Sequence, residues 1–159
     1  MLKKKIAVFV SGGGTNFEAL INAQENGKIP HGEIVLMVSS SKTAYALKRA
    51  ENHGIKSVVC SKKELGSQER FEEEILKNLE ENDIQLIVLA GFMSILSKEF
   101  TKKYENRIIN IHPSLIPSFC GEGFYGLHVH EAALKKGVKA TGATVRIVNE
   151  IPDDGPMIT

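Results

Sequence analysis

The sequence predicts an α/β fold, a mainly parallel, doubly wound Rossmann-like sheet with helices on both faces. Three observations predict it. Apolar, β-branched runs alternate with amphipathic stretches along the 159 residues, most of those runs are apolar at successive rather than alternate positions, and glycine-containing turns separate the two kinds of segment. A strand that is apolar on both sides needs cover on both sides, which is the setting of a parallel sheet layered by helices.

The elements follow in order. "KIAVFV" reads as a first buried strand. The turn "SGGGTN" leads into a helix over "FEALINAQENG", with Phe17, Leu20 and Ile21 apolar and Gly27 as its stop. "EIVLMVSS" is a second strand, "AYALKRAENHG" a helix closed by Gly54, and "KSVVC" a short third strand. "SQERFEEEILKNLEEND" places Phe71, Ile75 and Leu79 on one stripe with charges elsewhere, the pattern of a helix lying on a core. A fully buried strand, "IQLIVLAG", comes next, and a short helix over Lys98 to Tyr104 follows it. "RIINI" is a strand, "HVHEAALKKG" a helix and "GATVRIV" a last strand. With no repeat, linker or low-complexity stretch between them, residues 1–159 are expected to form a single domain.

Composition narrows the function classes. Twenty basic and 19 acidic residues leave a formal net charge of +1, which argues against a polyanion-binding surface and so against nucleic acid. Lys3 to Lys5 read as a solvated strand entry. The most apolar stretch, "LIVLAGFM", is far shorter than the roughly 18 residues that a membrane span needs. Cys60 and Cys120 are far apart and lack metal-ligand spacing, which fits reduced thiols in a cytoplasmic protein.

Ligands of doubly wound sheets bind beyond the carboxyl ends of the strands. That rule selects "SGGGTN", "AGFMSIL" and "NIHPSLIP", which are expected to open on one edge. In the first, glycines allow close backbone approach, and Thr15 and Asn16 suit a helix entrance, where free N–H groups and the positive dipole end attract phosphate. No Gly-Lys-Ser/Thr follows, and Phe17 replaces the third glycine of a dinucleotide fingerprint, so a phosphate without a dinucleotide is favoured over a plain capped turn. In the third, Asn110 and His112 stand two apart on a strand and share a face. An amide beside an imidazole suits a reaction that develops an oxyanion and moves a proton. Pro113 and Pro117 stiffen the backbone behind them. After the last strand, "IPDDGPMIT" is a turn in which Asp153 or Asp154 would orient the imidazole if strand order brings it near. His128 and His130 read as helix-entrance residues rather than metal ligands, His31 and His53 as surface turn residues, and Cys120 as structural.

Taken together, "VSGGGTNFEAL", "LAGFMSILS", "IINIHPSLIPSFCGEGFYGLHVHEAAL", "GATV" and "DDGP" resemble the phosphoribosylglycinamide formyltransferases from the first strand to the last residue. The resemblance implies the formyltransferase fold and transfer of a formyl group from 10-formyltetrahydrofolate, as co-substrate, to the amine of phosphoribosylglycinamide in purine synthesis, with no metal. It implies Asn110, His112 and Asp153 as the catalytic residues, with Asp153 rather than Asp154 set by the following Gly155-Pro156. It implies Gly14, Thr15 and Asn16 for the substrate phosphate. The folate walls would be Met93, Ser94, Ile95 and Leu96 on one side and Asn149, Glu150, Ile151, Pro152 and Asp153 on another, and Asn110 would also contact the folate.

Three positions depart from the resemblance. Gln68 and Ser94 stand where some members carry arginine, and Arg146 where histidine is frequent; facing the site, Arg146 would compete with His112 for Asp153. A further strand and helix are also expected after Thr159 by that comparison, making the chain a C-terminally truncated domain. Alternatives are therefore an impaired phosphate- or folate-binding fragment, or a related methionyl-tRNA formyltransferase or formyltetrahydrofolate hydrolase. The phosphate-type loop favours the small phosphorylated substrate. Nothing in the sequence fixes an oligomeric state.

Overall fold

The computed structural model describes residues 2–151 and 153–159. Its contacts divide the chain into two compact units, Met1–Ser97 and Lys98–Thr159.

The first unit holds β1 (Lys4–Val10), α1 (Thr15–Glu25), β2 (Gly32–Ser39), α2 (Ala46–Asn52), β3 (Lys56–Val59), α3 (Lys62–Leu65), α4 (Gln68–Glu81) and β4 (Leu86–Leu89). β1 pairs in parallel with β2 on one side and β4 on the other, and β2 pairs in parallel with β3. The chain thus steps outward from β1 to β3 and returns to the opposite side of β1. That reversal puts a switch point between the carboxyl ends of β1 and β4, the place where sheets of this class open a ligand crevice.

Ala7, Val8 and Phe9 of β1 and Leu36, Met37 and Val38 of β2 are fully buried at successive positions, so both faces of these strands are covered. α1 contributes Phe17 and Ile21, and α4 contributes Phe71, Ile75 and Leu79 at the predicted four-residue spacing. Each such side chain stabilises by about 1.5–3 kcal/mol relative to exposure. Ser67 caps α4 by accepting a hydrogen bond from the Arg70 N–H at 3.2 Å. α3 was not expected; "KKEL" is a single turn with no buried residue, too short to show a stripe. β4 is shorter than its apolar run: Ile84 and Ala90 are buried beyond its ends, and the Ala90 N–H still bonds the Phe9 carbonyl at 2.9 Å.

The second unit holds α5 (Lys98–Lys103), β5 (Ile108–His112), α6 (Leu127–Lys136) and β6 (Thr144–Ile147). β5 and β6 are antiparallel, with Asn110 opposite Arg146 and His112 opposite Thr144. The last residues come back along β6: Ile147 N–H donates to the Pro156 carbonyl at 2.9 Å and Ile158 N–H to Val145 at 2.7 Å. No helix among the described residues is long and apolar enough to cross a membrane.

Candidate active site

In the first unit the glycine loop sits at the β1 end of the switch point. α1 begins at Thr15 with Gly14 as its N-cap at φ 73°, and no side chain caps the helix. The entrance of α1 is thus built by the backbone rather than by a capping side chain. A Cβ on Gly14 would lie 2.7 Å from Ala46 Cβ, so the loop and α2 approach as only glycine permits. Thr15 and Asn16 are exposed at the helix entrance, where the first N–H groups lack helical partners. Arg49, which the sequence did not single out, donates from Nε to the Gly13 carbonyl at 2.8 Å and faces Glu18 at 3.3 Å.

The β4 end is tied to the same edge. Ser11 N–H donates to the Gly91 carbonyl at 3.1 Å, and Met93 N–H donates to Ser11 Oγ at 2.8 Å. Met93 and Ile95 are exposed, whereas Ser94 and Leu96 are partly buried. Gln68 donates from Nε2 to the Ile95 carbonyl at 3.0 Å and to Glu72 Oε1 at 2.6 Å. Glu72 is buried and also accepts from Ser97 N–H at 2.6 Å and Ser97 Oγ at 2.5 Å. The "charges elsewhere" of the α4 pattern thus include one carboxylate turned inward to pin the 93–97 segment.

The second unit places Asn110 and His112 on β5 and ties His112 and Asp153 to the same Phe119–Gly121 segment. Asn110 and His112 alternate onto one face of β5, and their antiparallel partners Arg146 and Thr144 share that face. His112 is buried, and its Nε2 lies 2.9 Å from the Phe119 carbonyl. A carbonyl only accepts, so Nε2 carries hydrogen and Nδ1 is the nitrogen that can exchange a proton. Asn110 is partly buried, and its amide makes no hydrogen bond among the described residues, leaving its donors for a ligand. Thr144 is buried behind the "HPSLIP" loop, where its Oγ1 donates to the Ser114 carbonyl at 2.7 Å and accepts from Ile116 N–H at 3.1 Å. The Ile116-Pro117 bond is cis.

Asp153 is turned inward and Asp154 is exposed. Asp153 adopts φ 58°, a left-handed conformation that Asp tolerates better than most residues. Its Oδ1 accepts from Arg146 Nη2 and its Oδ2 from Gly121 N–H at 2.7 Å. The carboxylate makes no direct bond to His112 among the described residues; the expected competition by Arg146 is what the structure contains. Arg146 is 4% exposed. Burial pushes the Arg146 guanidinium pKa down, and the Asp153 charge opposes that shift.

Asn149 Oδ1 accepts from Ile151 N–H at 3.0 Å, and Glu150 pairs with Lys98 at 2.6 Å. With Thr101, Lys102 and Glu105 of the same unit, residues 147–151 line a groove of about 330 Å³. Pro152, the remaining expected wall residue, lies outside the described residues.

A formyl transferase family model matches residues 4–159. The chain belongs to the formyl transferase family. It is 46% identical over 156 residues to the trifunctional purine biosynthetic protein adenosine-3 of Gallus gallus, covering 98% of this chain and 15% of that protein. It is 36% identical to the chloroplastic phosphoribosylglycinamide formyltransferase of Arabidopsis thaliana, covering 98% of this chain and 53% of that one. The chain thus spans no more than about half the length of these two curated relatives. The crystal structure of phosphoribosylglycinamide formyltransferase from Bacillus halodurans superposes with a TM-score of 0.88 at 39% identity, covering 98% of this chain and 77% of that one. That match carries the predicted α/β class and formyltransferase fold.

His128 sits 3.4 Å from Glu131 on α6, and no group of three or more His, Cys, Asp or Glu placed for a metal occurs among the described residues. His53 is more engaged than a surface turn residue, since Glu25 at 2.9 Å and Glu18 at 3.1 Å hold its two nitrogens. Burial pushes the Cys60 thiol up to about 11, and Cys120 Sγ rests on the Pro117 carbonyl at 3.2 Å.

Proposed function

We propose that this protein transfers a formyl group from 10-formyltetrahydrofolate to the amine of phosphoribosylglycinamide, as a cytoplasmic step of purine synthesis. The observation that carries the reading is the buried His112, held as the Nε2–H ring by the Phe119 carbonyl, on one strand face with the Asn110 amide, which has no hydrogen-bond partner among the described residues. Membership of the formyl transferase family supplies the reaction class. The names of its relatives supply the substrate.

The amine nitrogen attacks the formyl carbon, and a new C–N bond forms while the C=O pair moves onto oxygen. Asn110 donates to that oxyanion, and protonated Nδ1 of His112 donates beside it; donors already in place stabilise the developing charge without rearranging. Collapse breaks the bond to the folate nitrogen, which takes a proton as the amine gives one up. His112 is suited to carry a proton between these positions. Asp153 anchors the Gly121 N–H of the segment that carries the Phe119 carbonyl behind His112. Gly14, Thr15 and Asn16 bind the phosphate through the open N–H groups of α1, with Arg49 bracing the loop through the Gly13 carbonyl. Met93 to Leu96 and Asn149 to Asp153 contact the folate. No step in this scheme calls for a metal.

A formyl-transfer assay with the ribonucleotide and the folate tests this directly. His112→Asn is expected to lower kcat by about 10³-fold while substrate affinity stays near wild type. Wild-type turnover in that variant would remove the assignment.

A further inference from the structure

We propose that Arg146 is a positioning residue that sets the tautomer of His112 from across the strand pair, acting through Asp153 and the Phe119–Gly121 segment. The role given to the tautomer in turnover rests on the formyl-transfer reading; the linkage itself is a property of the second unit.

Both ends of the linkage meet in three consecutive residues. His112 Nε2 bonds the Phe119 carbonyl, and the Gly121 N–H bonds Asp153 Oδ2 at 2.7 Å. The segment between them does not hold itself by regular structure. Phe119 and Gly121 both have positive φ, 51° and 88°, and no helix or strand includes them. Its position therefore depends on side-chain anchors. Ser114 Oγ holds the Ser118 carbonyl at 2.5 Å and reaches the Phe119 carbonyl at 3.4 Å, the Phe119 ring meets Phe124 edge-on, and Asp153 holds the Gly121 end.

Asp153 in turn is fixed by Arg146, which takes the second carboxylate oxygen. Arg146 is held on β6 directly opposite Asn110, so its guanidinium starts from a rigid, registered position. Its Nε is the one buried side-chain nitrogen or oxygen without a hydrogen-bond partner among the described residues. The guanidinium thus gives up one hydrogen bond and spends its charge on Asp153. An imidazole's tautomer follows from the bond its other nitrogen makes. If Arg146 releases Asp153, Gly121 loses a charged anchor, the Phe119 carbonyl moves, and nothing reserves Nε2 for hydrogen.

The test is two-bond ¹H–¹⁵N correlation spectroscopy of the histidine-labelled full chain at alkaline pH, where imidazoles are neutral. The His112 signal is assigned by its loss in His112→Gln. Wild-type protein should show the Nε2–H form, and Arg146→Met a mixture of both tautomers. In the formyl-transfer assay Arg146→Met should lose about 100-fold in kcat, the scale of a misplaced catalytic group, with KM for the ribonucleotide within about twofold. A folded Arg146→Met protein that keeps a pure Nε2–H ring overturns the proposal. Should that variant not fold, Arg146→Gln decides, because glutamine keeps a polar group in the buried position without the cation. A mixture of tautomers in natively folded protein supports the linkage; a pure Nε2–H ring overturns it. The two readings fail separately. An unshifted tautomer sinks the linkage and leaves formyl transfer standing, whereas wild-type turnover in His112→Gln sinks formyl transfer and leaves the tautomer result intact.

Discussion

Single residues fix the second unit's site through backbone approach as much as through side chains. Gly155 is the sharpest case. A Cβ there would sit 1.7 Å from the Ile147 carbonyl oxygen, a backbone atom of β6 that cannot swing aside. Gly155→Ala should therefore pull the turn bearing Asp153 off β6 and destabilise the protein by about 3 kcal/mol, the upper range for forced overpacking. Urea unfolding measures it, and a wild-type midpoint would show that the turn relaxes freely. At this scale the sequence was partly legible. The i, i+2 spacing of Asn110 and His112 is a local property and appears in the strand as expected. The choice between Asp153 and Asp154 is not local, because a turn aims neighbouring side chains in different directions. Thr144 and Arg146 were no more visible as partners of His112 and Asn110, since that requires knowing which strand pairs with β5 and in what register.

At the scale of elements, α4 shows how a correct pattern can hide function. Its apolar stripe was readable from spacing, and Phe71, Ile75 and Leu79 are buried as the stripe requires. Glu72, next to Phe71, reads as one more solvated charge, yet it is 8% exposed and gathers Gln68 and both donors of Ser97. Only the fold brings residue 97 to that point. Its consequence is testable: Glu72→Ala removes the carboxylate that these donors share and should cost about 2–3 kcal/mol, as for hydrogen bonds to a charged group. Because the freed segment begins at Met93, KM for the formyl-folate should rise by about tenfold with kcat near wild type. Loss of stability with unchanged KM would show that the 93–97 segment takes no part in binding folate. α3 and the shortened β4 were missed for a different reason: a single turn has no period to read, and an apolar run does not reveal where its ladder stops.

For the molecule as a whole, 20 basic and 19 acidic residues nearly cancel, so pH acts on stability through particular pairs rather than through a net field. The group of Glu18, His53 and Glu25 in the first unit is the clearest of them. Hydrogen bonds that His53 donates to Glu25 and then to Glu18 raise the His53 pKa, and the His53 bond lowers that of Glu18. The signs separate. A histidine whose pKa is raised on folding stabilises the protein below its unfolded value and loses that contribution as pH rises through the folded value. A carboxylate whose pKa is lowered stabilises above its unfolded value and loses that contribution as pH falls through the folded one. Both contributions are thus complete only between about pH 4.5 and 6.5, the ordinary values of the two groups. The thermal midpoint should fall as pH rises from about 6.5 towards 8.5, and His53→Gln should flatten that limb while leaving the midpoint at pH 8.5 nearly unchanged. If the variant keeps the full slope, another group sets it. Salt offers an independent check, because these are partly exposed pairs. Raising ionic strength should shrink the wild-type slope, since a Debye length of about 10 Å at 0.1 M contracts to about 3 Å at 1 M.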